Sequence, residues 1–384
     1  MILILKSIYQ TVKVKTRLFV MSLLGHRENH FQLAIERCRR RGIVWSDNNH
    51  VKIFAIFNIK NWEEVLLSQL QKIGETYHFL WKVPSDQLFS SQDEWREHTE
   101  LLNQRLITEF ENFYNEKSNI WVFLYASDHT IFPESIEFIK RKNVIITSFC
   151  WDDLLYYKSS YRGQPIGVSR LSRLVDLNLT MSPESIVQYE ATRSPCFFWK
   201  SEPLEIDEES VEVVDLCVDL CDDFYVLFIG TRYGRRGAFI DAIRKKGITV
   251  KCYGNGWENP PLPQEHMIAE IQKAPITLGF ANVGYTWSVT TIKGRDFEVP
   301  LWGGLYLTQY SLGLESYYYP NKDVYVYRDL NECVRKIKYI RDNPREAKRV
   351  RLSGKVQALK YATWDSRFRF LLGLLIKITK EVSH

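Results

Sequence analysis

KGRDFEVPLWGGLYLT, residues 293–308, predicts a short helix, a Gly-Gly turn and a buried strand. If the helix covers residues 295–302, Arg295 lies one turn before Glu298 on its surface. An acid is unexpected in so apolar a segment, which must pack on a sheet. A carboxylate near a helix N-terminus can accept hydrogen bonds from the two hydroxyls of a ribose, and the helix N-terminus and a glycine turn can lie against phosphates. The alternative is that the acid caps the helix and the glycines only end it.

The composition is typical of a soluble globular protein, and 384 residues are too many for one ordinary core, so two domains are predicted. A net charge of +5 permits an anionic ligand but is too small to indicate nucleic-acid binding. The seven cysteines form no Cys-x-x-Cys pair and no zinc spacing. We expect reduced cysteines in a cytosolic protein, and no metal site.

The first 24 residues are apolar but are interrupted by four cations, Lys6, Lys13, Lys15 and Arg17. They contain no run of about eighteen apolar residues, so a membrane-spanning helix is not predicted. The interruptions and the lack of a clean cleavage site also disfavour a signal peptide. We expect an additional N-terminal element that leads into a first strand over residues 17–24. The alternative is a basic segment that lies peripherally on the inner face of a membrane.

Apolar strands alternate with amphipathic helices through residues 1–200, which predicts a parallel α/β sheet. The stretch 201–223 has ten acids and no lysine or arginine, as a solvated connector would. The alternation resumes over residues 224–363 and ends in a helix at 364–384. Two Rossmann-like α/β domains that face each other across a cleft are therefore predicted. The predicted strands are 17–24, 51–57, 78–83, 120–126, 144–150, 177–181, 225–230, 248–253, 276–280, 305–308 and 323–327.

Turns after three strands of the second half could bind a ligand. Residues 230–236, GTRYGRR, can offer backbone N–H groups and arginines to a diphosphate, and a solvated basic loop is the alternative. This turn lacks the Gly-x-Gly-x-x-Gly fingerprint of nicotinamide cofactor sites. Residues 254–257, GNGW, let a ligand approach the backbone beneath Trp257, unless they form a plain turn with a buried tryptophan. The loop 282–287 adds polar and aromatic groups.

Four motifs follow one another between residues 225 and 372: an arginine in the first turn, a Gly-x-Gly-Trp turn, an Arg-x-Phe-Glu-x-Pro-x-x-Gly-Gly core and a Thr-Trp-x-x-Arg piece. In this order they resemble the C-terminal domain of CgeB-like glycosyltransferases, of the broad group-1 type. The resemblance implies the GT-B fold, with a C-terminal helix that packs back on the first domain. The residues that match are Arg236, Gly254, Gly256, Trp257, Arg295, Phe297, Glu298, Pro300, Gly303, Gly304, Thr363, Trp364 and Arg367.

The same resemblance implies that Glu298 holds the ribose of a nucleotide and that the glycine turn after it approaches the phosphates. The donor is expected to be a UDP- or GDP-sugar, and no cofactor or metal ion is required. Many retaining members carry a second glutamate eight positions earlier, where this chain has Thr290. The expected donor-binding residues are Gly230, Arg232, Arg236, Gly254, Gly256, Trp257, Asn282, Arg295, Glu298, Gly303 and Gly304.

The first half loosely resembles the acceptor-side domain of the same group. Inverting enzymes of this fold commonly use an Asp or His there as general base, because the acceptor hydroxyl must lose a proton as the anomeric carbon is attacked. The candidates follow apolar strands, and each has a structural alternative as a loop residue, a turn acid or a helix cap. They are His26, Asp128, His129 and Asp152, with Asp153 beside the last.

We expect a metal-independent GT-B glycosyltransferase that transfers a hexosyl or related sugar to a hydroxyl of a glycan, a small molecule or a protein. An epimerase-type enzyme with the same donor site would instead convert the nucleotide sugar without an acceptor. A non-catalytic protein of surface or polysaccharide assembly would keep the fold without a usable base. The protein is expected to be cytoplasmic and not to bind nucleic acid.

Overall fold

The computed structural model describes residues 2–24, 29–46, 50–58, 63–81, 89–213, 224–286 and 288–383. The chain divides into two compact units. The N-terminal unit contains Thr16–Trp199 and Phe368–His384, and the C-terminal unit contains Met1–Lys15 and Lys200–Arg367. The N-terminal unit therefore includes the end of the chain, and the C-terminal unit includes its beginning.

The first helix, α1, covers Ile2–Leu24. The strand predicted over residues 17–24 is therefore wrong, because these residues form the last turns of α1. No glycine or proline occurs in residues 2–24, so nothing in the sequence ends the helix earlier. Short runs of Leu, Val and Phe suit a strand and a packed helix alike, and periodicity does not separate the two. Within the described ranges, no helix is long and apolar enough to cross a membrane.

The N-terminal unit is built on a parallel sheet. Its strands are β1 (Val51–Phe57), β2 (Glu75–Phe79), β3 (Asn119–Tyr125), β4 (Val144–Cys150), β5 (Ser160–Tyr161), β6 (Gln164–Pro165), β7 (Leu177–Thr180) and β8 (Cys196–Phe198). Six of them pair in the order β2-β1-β3-β4-β7-β8, all parallel, and β5 and β6 form a separate antiparallel pair. The central strands are apolar and buried along most of their length, as expected for a parallel sheet covered on both faces.

Local sequence sets where several helices of this unit begin. Asn29 accepts a hydrogen bond from the Phe31 N–H, and Ser91 accepts one from the Glu94 N–H, so both act as N-caps. Pro133 occupies the first helical position, where its missing N–H costs nothing. The helices are α2 (His30–Arg40), α3 (Glu63–Ile73), α4 (Gln92–Phe113), α5 (Pro133–Lys140), α6 (Asp153–Tyr156) and α7 (Ile186–Glu190).

The C-terminal unit is a second parallel α/β layer, so the two predicted Rossmann-like domains are confirmed. Its strands are β9 (Val226–Ile229), β10 (Val250–Tyr253), β11 (Ile276–Leu278), β12 (Tyr306–Gln309) and β13 (Tyr325–Tyr327). Its helices are α8 (Arg236–Arg244), α9 (Gln264–Lys273), α10 (Gly294–Leu301), α11 (Leu330–Asp342), α12 (Pro344–Tyr361) and the start of α13 (Trp364–Ser383).

The order of these strands marks a place for a ligand. The sheet runs β10-β9-β11-β12-β13, so the chain first moves to one side of β9 and then to the other. In open parallel sheets, ligands bind outside the carboxyl ends of the strands where the order turns back. Here that crevice lies at the carboxyl ends of β9 and β11.

The last helix, α13, is divided between the units after Arg367. In the N-terminal unit, the Phe368 ring centroid lies 5.6 Å from that of Phe123 and 5.4 Å from that of Trp199. Leu371 and Leu375 are fully buried. The prediction that the C-terminal helix packs on the first domain is confirmed.

The described part of the acidic stretch is attached to α12. The Leu204 N–H donates to the Lys360 carbonyl at 3.0 Å, and the Lys360 ammonium pairs with Glu208. The Lys355 ammonium donates to the Glu212 carbonyl at 2.6 Å. An ion pair and two hydrogen bonds thus attach this segment to α12, so it is more than a solvated connector.

Candidate functional site

The crevice begins with the turn between β9 and α8, where an arginine is held over an aromatic ring. The Arg236 guanidinium lies 4.0 Å from the Tyr233 ring centroid and donates to the Tyr233 hydroxyl at 3.0 Å. It also donates to the Thr231 carbonyl at 3.2 Å. These contacts fix a cation at the N-terminus of α8, where the helix dipole and the charge both favour an anion.

A second arginine of the turn is exposed. The Arg232 guanidinium lies 5.0 Å from the Trp257 ring and 3.5 Å from Asp241. The Trp257 N–H donates to the Gly230 carbonyl at 2.8 Å, and its ring packs edge-on against Phe228. The indole therefore joins the turn at Gly230 to the turn at residues 254–257, and its ring packs against the Arg232 guanidinium. We call these two segments the two glycine turns.

Glycine is required where the two turns meet. Gly254 has φ +133°, and a Cβ there would lie 2.4 Å from the Gly230 carbonyl oxygen. The turns are also joined by the Gly230 N–H, which donates to the Tyr253 carbonyl at 2.9 Å. The backbone is therefore free of side chains at the carboxyl ends of β9 and β10, and a ligand can approach it closely.

The loop after β11 supplies a buried acceptor. Asn282 is fully buried, its Nδ2 donates to the Gly284 carbonyl at 3.3 Å, and its Oδ1 has no hydrogen-bond partner within the described part of the chain. A buried unpaired oxygen is costly, and a bound donor group would satisfy it. The loop lies close to the arginine turn, since a Cβ at Gly234 would be 3.1 Å from the Gly284 carbonyl oxygen.

The helix α10 is capped by an acid that the sequence analysis did not single out. Asp296 accepts hydrogen bonds from the Lys293 N–H at 2.6 Å and from the Thr308 hydroxyl at 2.8 Å. It is buried, and burial raises the pKa of its carboxyl to about 6. Asp296 occupies the third helical position, where the acid of a capping box accepts from the N-cap N–H, but Lys293 cannot accept the reciprocal bond, so the sequence carries only half of that signal. The capping role that was the alternative for Glu298 therefore belongs to Asp296.

Glu298 instead lies between two arginines of the C-terminal unit. It forms an ion pair with Arg295, and its side chain is 21% exposed. Its charge also acts on Arg367, whose guanidinium is buried 3.8 Å from the Trp364 ring and 4.3 Å from the Phe297 ring. Burial lowers the pKa of Arg367 to about 10. The carboxylate is thus oriented but still reachable by a ligand.

The structure does not bring Gly303 and Gly304 to this crevice. They follow the C-terminus of α10, which runs back along the sheet for about 12 Å, so they lie at the amino ends of the strands. A Cβ at Gly304 would lie 2.5 Å from Ile271, and the Gly303 carbonyl accepts a hydrogen bond from Arg351. The Gly303-Gly304 turn therefore packs the end of α10 against Ile271 of α9 and Arg351 of α12. Its position does not support the expectation that this turn approaches phosphates.

The candidate bases of the N-terminal unit differ in their surroundings. Asp128 is buried and accepts hydrogen bonds from the Leu171 N–H at 3.0 Å and the Arg170 N–H at 3.2 Å, although burial still raises the pKa of its carboxyl. His129 is half-buried, lies 3.0 Å from the Gln164 amide oxygen through Nε2, and stacks on Trp95. Asp128 thus orders a loop, while His129 keeps a partly open ring.

The third position holds two adjacent acids. Asp152 is half-buried and does not cap α6 with its side chain. Asp153 is fully buried and accepts a hydrogen bond from the Tyr189 hydroxyl at 2.9 Å, and burial raises the pKa of its carboxyl to about 7. His26 lies outside the described residues. Among the described residues, no group of three or more His, Cys, Asp or Glu side chains could hold a metal ion.

The buried cap of α10 predicts a pH dependence of stability. The folded state keeps the Asp296 proton up to about pH 6, whereas the unfolded chain releases it near its ordinary pKa of 3.8. Between these values the unfolded state binds fewer protons, so this group lowers stability as the pH rises, by up to about 1.4 kcal/mol per pH unit. We expect the free energy of unfolding of Asp296→Asn, minus that of the wild type, to grow between these pH values and then level off.

Urea unfolding of both proteins across this pH range measures that difference. The contributions of the other carboxyl groups are the same in both proteins, so they cancel in the subtraction. The asparagine amide can still accept from Lys293, and the Thr308 hydroxyl can turn to accept from the amide N–H, so the cap is retained. A difference that stays constant with pH would show that Asp296 titrates normally.

Comparison with known proteins agrees with this fold. Residues 235–373 match the family model described as "Glycosyl transferase-like". No curated protein matches the chain. Solved structures share the fold at low identity: sucrose-phosphate synthase from Thermosynechococcus elongatus is 13% identical with a TM-score of 0.56, covering 85% of this chain and 98% of that one.

Two further structures show the same architecture. The lipopolysaccharide outer core galactosyltransferase WaaB is 12% identical with a TM-score of 0.52, covering 85% of this chain and 99% of that one. Anabaena Alr3699/HepE in complex with UDP is 9% identical with a TM-score of 0.51, covering 87% and 98%. These similarities establish the GT-B type of fold, as the sequence predicted.

Proposed function

We propose that this protein is a GT-B glycosyltransferase that transfers a sugar from a nucleotide-sugar donor to an acceptor hydroxyl. The observation that carries the proposal is the division of roles on α10. Asp296 caps the helix, so Glu298 is left as an accessible carboxylate beside the crevice, held by Arg295. A carboxylate oriented in this way can accept hydrogen bonds from both hydroxyls of a ribose.

The diphosphate would lie at the carboxyl ends of β9 and β11. Arg232 and Arg236, together with the N-terminus of α8, supply positive charge there. Positive groups that are already in place stabilise the charge that develops on a leaving nucleoside diphosphate without reorganisation. Gly230 and Gly254 leave the backbone open to the phosphates, and the unpaired Oδ1 of Asn282 can accept from the base or the sugar.

A UDP- or GDP-sugar is the proposed donor. The related structure from Anabaena was solved with UDP and with UDP-glucose, which supports testing UDP first. Within the group-1 type, the order of the four motifs supports a CgeB-like enzyme. The acceptor would be activated by a residue of the N-terminal unit. His129 and Asp152 are the preferred candidates because both are half-buried, and Asp152 is at the N-cap of α6 without a capping hydrogen bond from its side chain.

The experiment is incubation of the purified protein with UDP- and GDP-sugars, with and without a panel of sugar and glycolipid acceptors. We expect release of the nucleoside diphosphate that increases with a suitable acceptor. Conversion to another nucleotide sugar without release would indicate an epimerase-type enzyme. Binding without any turnover over the whole panel would favour a non-catalytic protein, and no binding of either nucleotide would contradict the proposal.

Loss of one exposed arginine tests the placement of the diphosphate. We expect Arg232→Ala to weaken UDP or GDP binding about 10–100-fold in calorimetry, because a charge-assisted hydrogen bond is worth about 1.5–3 kcal/mol. Arg341→Ala is the matched control: Arg341 is 48% exposed beside Asp342, as Arg232 is 46% exposed beside Asp241. Equal affinities of the two variants would place the diphosphate elsewhere.

A further inference from the structure

The helix α1 carries a row of exposed apolar side chains. Ile4, Ile8 and Val12 are 56%, 55% and 57% exposed, and their spacing of four residues places them on one side of the helix. Leu5 and Tyr9 lie beside them and are equally open. We call these five residues the outer face of α1. Such a contiguous apolar surface on a water-exposed helix marks a contact site.

The opposite side of α1 is already used. Ser7 and Val14 are buried, and the Lys6 ammonium lies 3.7 Å from the Tyr285 ring centroid. The Gln10 side chain accepts a hydrogen bond from the Tyr285 N–H at 2.9 Å. These contacts attach α1 to the C-terminal unit through the side opposite to the outer face. The outer face therefore points to solvent.

The charges of α1 identify the kind of partner. Four cations and no acids occur in Ile2–Leu24. Lys13 and Lys15 are exposed next to the outer face, and three more open apolar side chains continue on the later turns, at Phe19, Val20 and Leu23. An apolar face bordered by cations is the pattern of a helix that lies in the interface of an anionic membrane.

We propose that α1 docks on the surface of a bilayer that contains anionic phospholipids. The outer face would enter the boundary between headgroups and acyl chains, and Lys13 and Lys15 would lie at the lipid phosphates. The helix would lie in the plane of the membrane, in agreement with the finding that no described helix could cross it. A second copy of the chain is a poorer partner, because pairing two outer faces would bring Lys13 and Lys15 of both copies together with no acid on either helix.

Vesicle flotation tests this proposal with the full chain. We expect the wild type to float with vesicles of phosphatidylcholine and phosphatidylglycerol, and much less with phosphatidylcholine alone. The double variant Ile8→Glu, Val12→Glu should lose binding, and Lys13→Glu, Lys15→Glu should reduce partitioning at least about tenfold, because each cation near an anionic surface contributes a factor of about five.

Leu101→Glu is the matched control, because Leu101 is a leucine on α4 that is 62% exposed. This variant should bind the vesicles as the wild type does. Circular dichroism of each variant confirms that it is folded, which is expected because every substituted side chain is exposed. The proposal fails if the wild type floats with neither vesicle or if the α1 variants bind unchanged. It also fails if the protein forms a dimer in solution that Ile8→Glu, Val12→Glu dissociates.

Discussion

Replacing Glu298 by alanine is expected to weaken nucleotide binding at least about 100-fold, and replacing it by glutamine about tenfold. The carboxylate would accept two charge-assisted hydrogen bonds from ribose hydroxyls, each worth about 1.5–3 kcal/mol, and glutamine keeps an uncharged acceptor in the same place. Calorimetric titration of UDP and GDP into each variant measures the effect. The graded order, with alanine weaker than glutamine, separates a hydrogen-bonding role from a change in shape.

Glu109→Ala is the matched control for this series. Glu109 forms an ion pair with Arg105 on α4, as Glu298 does with Arg295 on α10. Loss of such a partly exposed pair costs only about 0–1 kcal/mol of stability, so neither variant is expected to unfold. Unchanged nucleotide affinity of Glu298→Ala in a folded protein would remove the residue from the donor site and, with it, the main support for the proposed function.

Gly254→Ala is expected to destabilise the C-terminal unit by about 2–5 kcal/mol. The strained backbone accounts for about 1–3 kcal/mol, since φ +133° is a region that only glycine occupies readily. The remainder comes from the new methyl group, which would lie 2.4 Å from the Gly230 carbonyl oxygen and force the two glycine turns apart. Urea unfolding measures the loss of stability, and nucleotide titration measures the loss of the site.

Gly247→Ala isolates the backbone contribution, so the difference between the two variants gives the cost of the contact. Gly247 also has positive φ, +77°, but a Cβ there meets no atom within 4 Å. We expect a cost of about 1–2 kcal/mol, from the left-handed backbone alone, and no change in nucleotide affinity. If both variants lose the same stability, the contact between the turns is not tight enough to matter.

The periodicity of the chain predicted most of the fold. Strands β1 at Val51–Phe57 and β4 at Val144–Cys150 have the predicted bounds. Continuous apolar runs and amphipathic stretches of adequate length are local properties, so the sequence displays them directly. The error in α1 arose where this signal is weakest, in a short apolar run without an alternating pattern.

The candidate site was predicted less completely. The sequence indicated Glu298 and the two glycine turns as ligand-binding groups, with helix capping as the alternative role of Glu298. The structure instead makes Asp296 the cap, since it accepts from the Lys293 N–H at the start of α10, and the Thr308 hydroxyl on the next strand also donates to it. The predicted position of Gly303 and Gly304 at the phosphates does not fit the direction of α10. The helix runs from the carboxyl ends of the strands towards their amino ends, where the two glycines lie.

The sequence by itself determined two parallel α/β units and the chemical groups available at the ends of their strands. The spacing of apolar residues and the positions of turn glycines are local features, because they involve residues that are close together in the chain. Only the tertiary structure decided which carboxylate on α10 is buried and which is left for a ligand. Thr308 donates to Asp296, Met267 accepts a hydrogen bond from Arg295, the ion-pair partner of Glu298, and the charge of Glu298 acts on the buried Arg367. These interactions join residues that are far apart in the chain, so they form only when the unit is folded. The stretch 293–308 thus contains the acid that we propose binds the ligand, and the folded unit distinguishes it from its neighbour.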